Sequence, residues 1–232
     1  MKIELCSSSI EALLLANEFK FDRVELCQSI ELGGLTPSLG FQEFALSFNS
    51  FATHALIRCK AGGFIYSDLE KKIMLKDMEN SVKLGIHGLV VGAINPKNKI
   101  DLAFMAEIKS NFPNLELTFH RAFDDLKNPV NEIEKLIDLG FKRILTSGGK
   151  KTVLEGIETI QKLISKAKNR IDIMLGGRIN AENISKIINL SKPDAIHFSG
   201  TEFKSADKES LFSEKILLPN REKIKGILNG IE

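Results

Sequence analysis

The sequence predicts an α/β protein closed into a (β/α)8 TIM barrel, and three observations lead there. Short runs rich in Ile, Val and Leu alternate with longer stretches of helical period, the rhythm of a parallel sheet covered by helices. Eight such units fit within 232 residues, near the short end of the usual range for that barrel. The Gly-x-Gly-x-x-Gly turn of a dinucleotide-binding open sheet is missing after the first strand, where Cys6-Ser7-Ser8-Ser9 stands. An open, doubly wound sheet is the alternative. No low-complexity segment or linker divides the chain, so one domain is expected over residues 1–232, with the eight units within about 1–200.

The expected strands are Lys2 to Cys6, Arg23 to Cys27, Ala55 to Arg58, Gly88 to Gly92, Leu115 to His120, Arg143 to Ser147, Ile171 to Leu175 and Ala195 to Ser199. Between them, Val130, Ile133, Leu136 and Ile137 fall on one helical face, as do Val153, Leu154, Ile157, Ile160, Leu163 and Ile164. Ser8 with Glu11, Ser67 with Glu70 and Thr152 with Glu155 have the spacing at which a hydroxyl and a carboxylate cap each other's orphan amides. A helix over Asn180 to Asn189 would begin close to the Gly176-Gly177 pair. Past Ser199 the pattern loosens: Gly200 to Pro219 reads as a loop and Arg221 to Leu228 as a last helix.

Composition removes several function classes. A chain this long buries roughly three quarters of its unfolded surface, so neither disulfides nor a structural metal is needed for a core. With 32 Lys and Arg against 30 Asp and Glu, interspersed along the chain, no footprint for nucleic acid or anionic lipid exists. Three cysteines argue against a secreted disulfide framework. The opening Met1-Lys2-Ile3-Glu4-Leu5-Cys6 has no apolar signal core, and no run approaches the ~18 apolar residues of a bilayer span. A soluble, cytoplasmic protein is expected.

In a barrel, chemistry gathers where strands end, and this sequence places polar residues there. The first two strands end in near copies, Ile3-Glu4-Leu5-Cys6 and Val24-Glu25-Leu26-Cys27. Alternation puts Glu4 and Cys6 on one face and Glu25 and Cys27 on the corresponding one, and adjacent strands ~4.8 Å apart bring the two thiols near each other. Two thiolates form a soft site that selects Cu(I), although inert, buried cysteines are the plainer reading. Cys59 faces away from Arg58 and is expected to pack.

Later strand ends supply Arg58, His120, His197 and Ser199. Glu4, Glu25, Arg58, His120 and His197 are the candidate catalytic residues: a carboxylate beside Arg58 stays ionised, and His120 is placed to cycle a proton near neutral pH. The structural alternative has Arg58 neutralising both glutamates and the histidines bonded to backbone carbonyls. Ser147, Gly148, Gly176, Gly177 and Ser199 leave room for backbone amides to approach an anion, in the quadrant where barrels often hold a substrate phosphate. The same glycines also suit tight turns. No Schiff-base lysine ends a strand and there is no Gly-x-Ser-x-Gly elbow, so no acyl-enzyme chemistry is indicated, nor any organic cofactor.

Glu25-Leu26-Cys27 with Gly33-Gly34-Leu35-Thr36-Pro37-Ser38, Ile57-Arg58, Phe64-Ile65-Tyr66-Ser67-Asp68, Thr118-Phe119-His120-Arg121-Ala122-Phe123-Asp124 and Ile144-Leu145-Thr146-Ser147-Gly148 together resemble the CutC family. The likeness runs from the first strand to about Ser199. It implies a TIM barrel, a cytoplasmic location, a homo-oligomer and copper homeostasis, with Cu(I) held by the cysteines matched here by Cys6 and Cys27. The chain departs from the family pattern at Arg58-Cys59-Lys60-Ala61-Gly62-Gly63-Phe64, where the family has Arg-Pro-Arg-Gly-Gly-Asp-Phe, and at Arg178, where a third glycine usually stands.

Two functions therefore compete. One is a metal-handling protein with Cu(I) between Cys6 and Cys27, which leaves the charged strand ends unexplained. The other is an enzyme acting on a small anionic or phosphorylated substrate, with Glu25 and His120 as acid and base, Arg58 on the anion and the late glycine loops as its cradle. An interaction scaffold without a site explains the ionisable strand ends least.

Overall fold

The computed structural model describes residues 1–205 and 215–231. Eight parallel strands close into a barrel in chain order: β1 (Lys2–Ser7), β2 (Arg23–Leu26), β3 (Ala52–Leu56), β4 (Gly88–Val91), β5 (Glu116–Phe119), β6 (Arg143–Thr146), β7 (Asp172–Gly176) and β8 (Ala195–Phe198), with β8 pairing back onto β1. The helices α1 (Ile10–Glu18), α2 (Leu39–Leu46), α3 (Asp68–Leu84), α4 (Leu102–Asn111), α5 (Pro129–Asp138), α6 (Ile157–Ala167), α7 (Ile184–Ser191) and α8 (Arg221–Asn229) alternate with them. Strand alternation divides the side chains into two populations. Outward residues such as Leu5, Val24, Leu26, Leu89, Leu117, Phe119, Ile173 and Ile196 are buried in the main apolar core that surrounds the barrel, together with Leu13, Met74, Phe104, Leu136 and Leu163 of the helices. Among the described residues the interior holds two small apolar clusters, Cys27 with Leu56 and Val90, and Leu145 with Met174 and Ala195. The rest of it is polar.

Local chemistry sets the helix starts. Ser67 and Glu70 form the reciprocal capping box expected of them, at the start of the longest helix. At α1 the cap moves by one residue: Ser9, not Ser8, accepts from the Ala12 amide. Thr152 and Glu155 exchange both capping bonds, but over a separate turn, and α6 itself begins at Ile157.

Two further expectations differ from the structure. Strand β3 begins three residues before Ala55 and ends before Arg58, so Thr53 and His54 lie within the sheet. These polar residues broke the aliphatic pattern, yet His54 is tolerated inside because Arg143 and Glu116 meet its ring. The stretch after Gly200, read as a loop, carries an antiparallel pair, β9 (Thr201–Ser205) and β10 (Lys215–Pro219), and the middle of that stretch lies outside the described residues. Among the described residues no helix is long and apolar enough to cross a membrane.

Candidate functional site

A cavity of about 650 Å³ opens at the C-terminal ends of the strands. Cys6, Glu25, Arg58, His120 and His197 line it, so four of the five candidate catalytic residues and one of the two cysteines meet there. Glu4 does not reach the cavity. It is fully buried beneath, where its carboxylate pairs with the Arg23 guanidinium and, at 2.6 Å, with His197 Nδ1. Burial alone would keep Glu4 protonated; Arg23 and His197 overcome it and hold the carboxyl well below the usual range. Arg23 thus takes the role the sequence offered to Arg58. Beside it, Arg143 bonds Glu116 at 2.6 Å and Thr118 at 3.1 Å, and His54 lies 3.5 Å from Arg143. Burial, followed by the nearby guanidinium of Arg143, brings His54 down to about 3 although Glu4 acts the other way, so the ring is neutral.

Arg58 has a different task. Its Nη1 donates to the carbonyls of Leu32 and Gly34 at 3.0 and 2.8 Å, and its Nη2 donates to Gly62 at 2.6 Å. The guanidinium also lies 5.1 Å from the centre of the Phe64 ring. Arg58 therefore ties the β2 and β3 loops together and does not touch either glutamate; its charge is met by carbonyl dipoles. Its Nε is buried without a partner.

His120 packs against Phe64 at 4.9 Å between ring centres, and its Nδ1 accepts the Ala122 amide at 3.1 Å. That bond places the ring proton on Nε2, which is buried and unpartnered. Burial and the Arg58 charge bring His120 down to about 3. The residue is therefore a neutral hydrogen-bond donor near pH 7, not the proton cycler its type suggested. Room for the ring comes from the residue just after β4: a Cβ on Gly92 would lie 2.6 Å from His120 Nδ1.

The thiols come together as expected. Cys6 Sγ lies 3.7 Å from Cys27 Sγ and 3.8 Å from a Glu25 oxygen. Cys6, Glu25 and His197 each offer a ligand atom, all within 4.8 Å of one another. Cys27 is fully buried against Leu56 and Val90 behind Cys6, and Cys59 packs against the outer core. The Cys6 thiol is pushed up by its bond with Cys27 and by burial, and so stays protonated at neutral pH. Burial pushes the Glu25 carboxyl up to about 7; the His197 charge opposes this and the Glu4 charge adds to it. Burial acts against a charged His197, but the Glu25 and Glu4 carboxyls and Cys6 keep its ring protonated well above the usual range. Glu25 Oε2 is buried and has no partner.

The late loops divide. At the β6 loop the cradle expected at Ser147 and Gly148 is already filled by the protein's own carboxylate. Asp124 accepts from Thr146 Oγ1 at 2.6 Å, Ser147 N at 3.0 Å, Gly149 N at 2.9 Å and Arg121 Nε at 2.8 Å. An external anion has no place there. Gly176, Gly177 and Ser199 do line the cavity, with Arg178, Gly200 and Lys223. The expected helix after them begins only at Ile184, behind a turn in which Asn180 and Asn183 bond each other's amides. Arg23, His54 and Asp124 were missed by the sequence reading. Alternation already placed Arg23 on the face of Glu25, whereas His54 was hidden by the displaced strand.

The sequence model described as the CutC family matches residues 1–202. A CutC family protein of Glaesserella parasuis is 40% identical, over 100% of this chain and 99% of its own. One from Treponema denticola is 40% identical over 86% of this chain and 81% of its own. Among solved structures, the CutC of Streptococcus agalactiae, whose name refers to copper homeostasis, superposes with a TM-score of 0.81 at 33% identity, covering 85% of this chain and 97% of that one. A phosphoribosyl anthranilate isomerase from Thermotoga maritima shares the fold at a TM-score of 0.58 and 13% identity, over 99% of this chain and 98% of that one.

Proposed function

The chain belongs to the CutC copper homeostasis family, and on that premise we propose that its barrel mouth takes Cu(I) as cargo between Cys6 and Cys27. The observation that carries this reading is the approach of the two sulfurs to 3.7 Å beside the ligand atoms of Glu25 and His197. Thiolates suit a soft monovalent ion better than they suit harder cations. The buried, unpartnered Glu25 Oε2 supports the same assignment, since a buried polar atom without a partner calls for one.

Loading must remove protons, because thiolates and not thiols bind metal. Glu25, 3.8 Å from Cys6, stands where it can accept the Cys6 proton. His197 is held as the imidazolium and contributes positive charge rather than a lone pair until it too is deprotonated. Affinity therefore rises with pH. Titration with Cu(I) under reducing conditions tests the proposal. Near-stoichiometric binding, lost in the Cys6→Ser, Cys27→Ser double variant, is expected, and unchanged binding in that variant overturns it.

One observation favours a second reading. A cavity of about 650 Å³ far exceeds the needs of an ion and matches a small organic molecule. In that reading the barrel acts on a small anionic substrate, with Glu25 exchanging a proton and neutral His120 donating through Nε2.

A further inference from the structure

The cavity has two polar sides, and the metal reading uses neither the β7–β8 rim nor His120. In the ring of eight strands, β3 and β7 lie opposite each other. Arg58 follows β3 and His120 follows β5, and each has a buried N–H without a partner. The β7–β8 side carries Arg178, Ser199, Gly200 and Lys223.

That second side is rich in unused donors. Arg178 is exposed and makes no side-chain hydrogen bond or ion pair among the described residues. Its backbone sits at φ +55°, in the left-handed region that a residue with a Cβ enters at a cost. Asn183 fixes that conformation by donating to the Arg178 carbonyl at 2.8 Å. The backbone N–H groups of Arg178, Ser199 and Gly200 meet no acceptor among the described residues. Lys223 stands in the first turn of α8, where a cation works against the helix dipole; its Nζ donates to the Thr201 carbonyl at 3.4 Å and lies 3.8 Å from a Glu202 oxygen, which leaves it further N–H donors. Several N–H donors and two cations lining one rim suit a tetrahedral dianion better than a planar carboxylate with two oxygens.

We propose that the cavity binds a small phosphate ester, its phosphate held at the β7–β8 rim by Arg178, Lys223 and the neighbouring amides, and its organic part reaching the Nε2–H of His120. This rests on the second reading above, that the cavity takes a small molecule; it is independent of copper. The Arg178 side chain selects the charged group, and the His120 Nε2–H donates to an oxygen of the organic part. A cavity of about 650 Å³ has room for a phosphate ester a few carbons long.

Calorimetric titration of the full chain with glycerol 3-phosphate, inorganic phosphate and glycerate tests the proposal. Glycerol 3-phosphate is expected to bind with a Kd of about 1 mM or tighter. Arg178→Gly should weaken it about tenfold or more. Glycine adopts φ +55° freely, so that variant should melt no lower than the parent, which separates lost binding from lost folding. His120→Phe should weaken glycerol 3-phosphate and leave inorganic phosphate unchanged. Equal affinity in the parent and Arg178→Gly overturns the proposal. If glycerate binds and glycerol 3-phosphate does not, the phosphate assignment falls while the small-molecule reading stands; if none of the three binds, both fall.

Discussion

Two bands of charge occupy this barrel, built from the same residue types and differing in how completely their groups are paired. In the deep band, Glu4 meets Arg23 and His197, and Arg143 meets Glu116, Thr118 and His54. At the mouth, Glu25 Oε2, His120 Nε2 and Arg58 Nε are buried with no partner, beside two thiols that bond chiefly each other. His197 joins the bands: it lines the cavity and bonds Glu4 from above. Charge inside a barrel therefore does not mark a site. The deep groups offset one another's desolvation and act as structure, whereas the mouth leaves desolvated groups without a partner.

Breaking the deep band should have the largest effect. Glu4→Gln leaves Arg23 buried without its carboxylate and is expected to destabilise the fold by about 3–5 kcal/mol in urea unfolding. A cost under ~1 kcal/mol would remove the contrast between the bands.

Acid comes next. His54 titrates near 3 in the fold and near 6.5 when unfolded, so the unfolded chain takes up the proton first as pH falls. Its share of stability is complete above pH 6.5, declines by about 1.4 kcal/mol per pH unit below that, and is gone near pH 3. The stability gap between the parent and His54→Gln should shrink at that rate between pH 6.5 and 4.5, by about 2–3 kcal/mol. A gap independent of pH would mean that the ring is not buried in its neutral form.

Asp124→Ala, which empties the β6 cradle, should cost about 2 kcal/mol in the same unfolding measurement. The mouth should respond the other way. Cys6→Ser with Cys27→Ser is expected to shift stability by less than ~1.5 kcal/mol while abolishing Cu(I) binding. Smallest is Arg178→Gly, which relieves a left-handed backbone and should raise stability by about 1 kcal/mol. A large loss of stability in either mouth variant would show that the mouth too is structural.

Much of this architecture is legible along the chain. Aliphatic runs alternating with helical faces predict the closed barrel, Ser67 and Glu70 mark a helix start that the fold keeps, and Cys6 and Cys27 meet as strand alternation requires. The motif runs around Glu25-Leu26-Cys27 and His120-Arg121-Ala122-Phe123-Asp124 resemble the CutC family, to which the chain belongs. All of these are short-range signals: periodicity, caps and motifs depend on neighbours within a few residues.

Partner choice is not a local property. Glu4 pairs with Arg23 and with His197, 19 and 193 residues away, and only strand register puts those atoms together. Arg58 and Arg23 are alike in the sequence, each an arginine at an end of a strand, yet one clamps loop carbonyls and the other neutralises a glutamate. The β6 glycine loop could hold any anion until the 3₁₀ turn after β5 delivers Asp124 into it. The sequence by itself determined the barrel, its family and the residue types at the mouth, because hydrophobic period and turn chemistry are written over short spans. Tertiary structure decided which of those residues are satisfied and which are left without a partner, because a charge buried at low dielectric is governed by the few atoms around it.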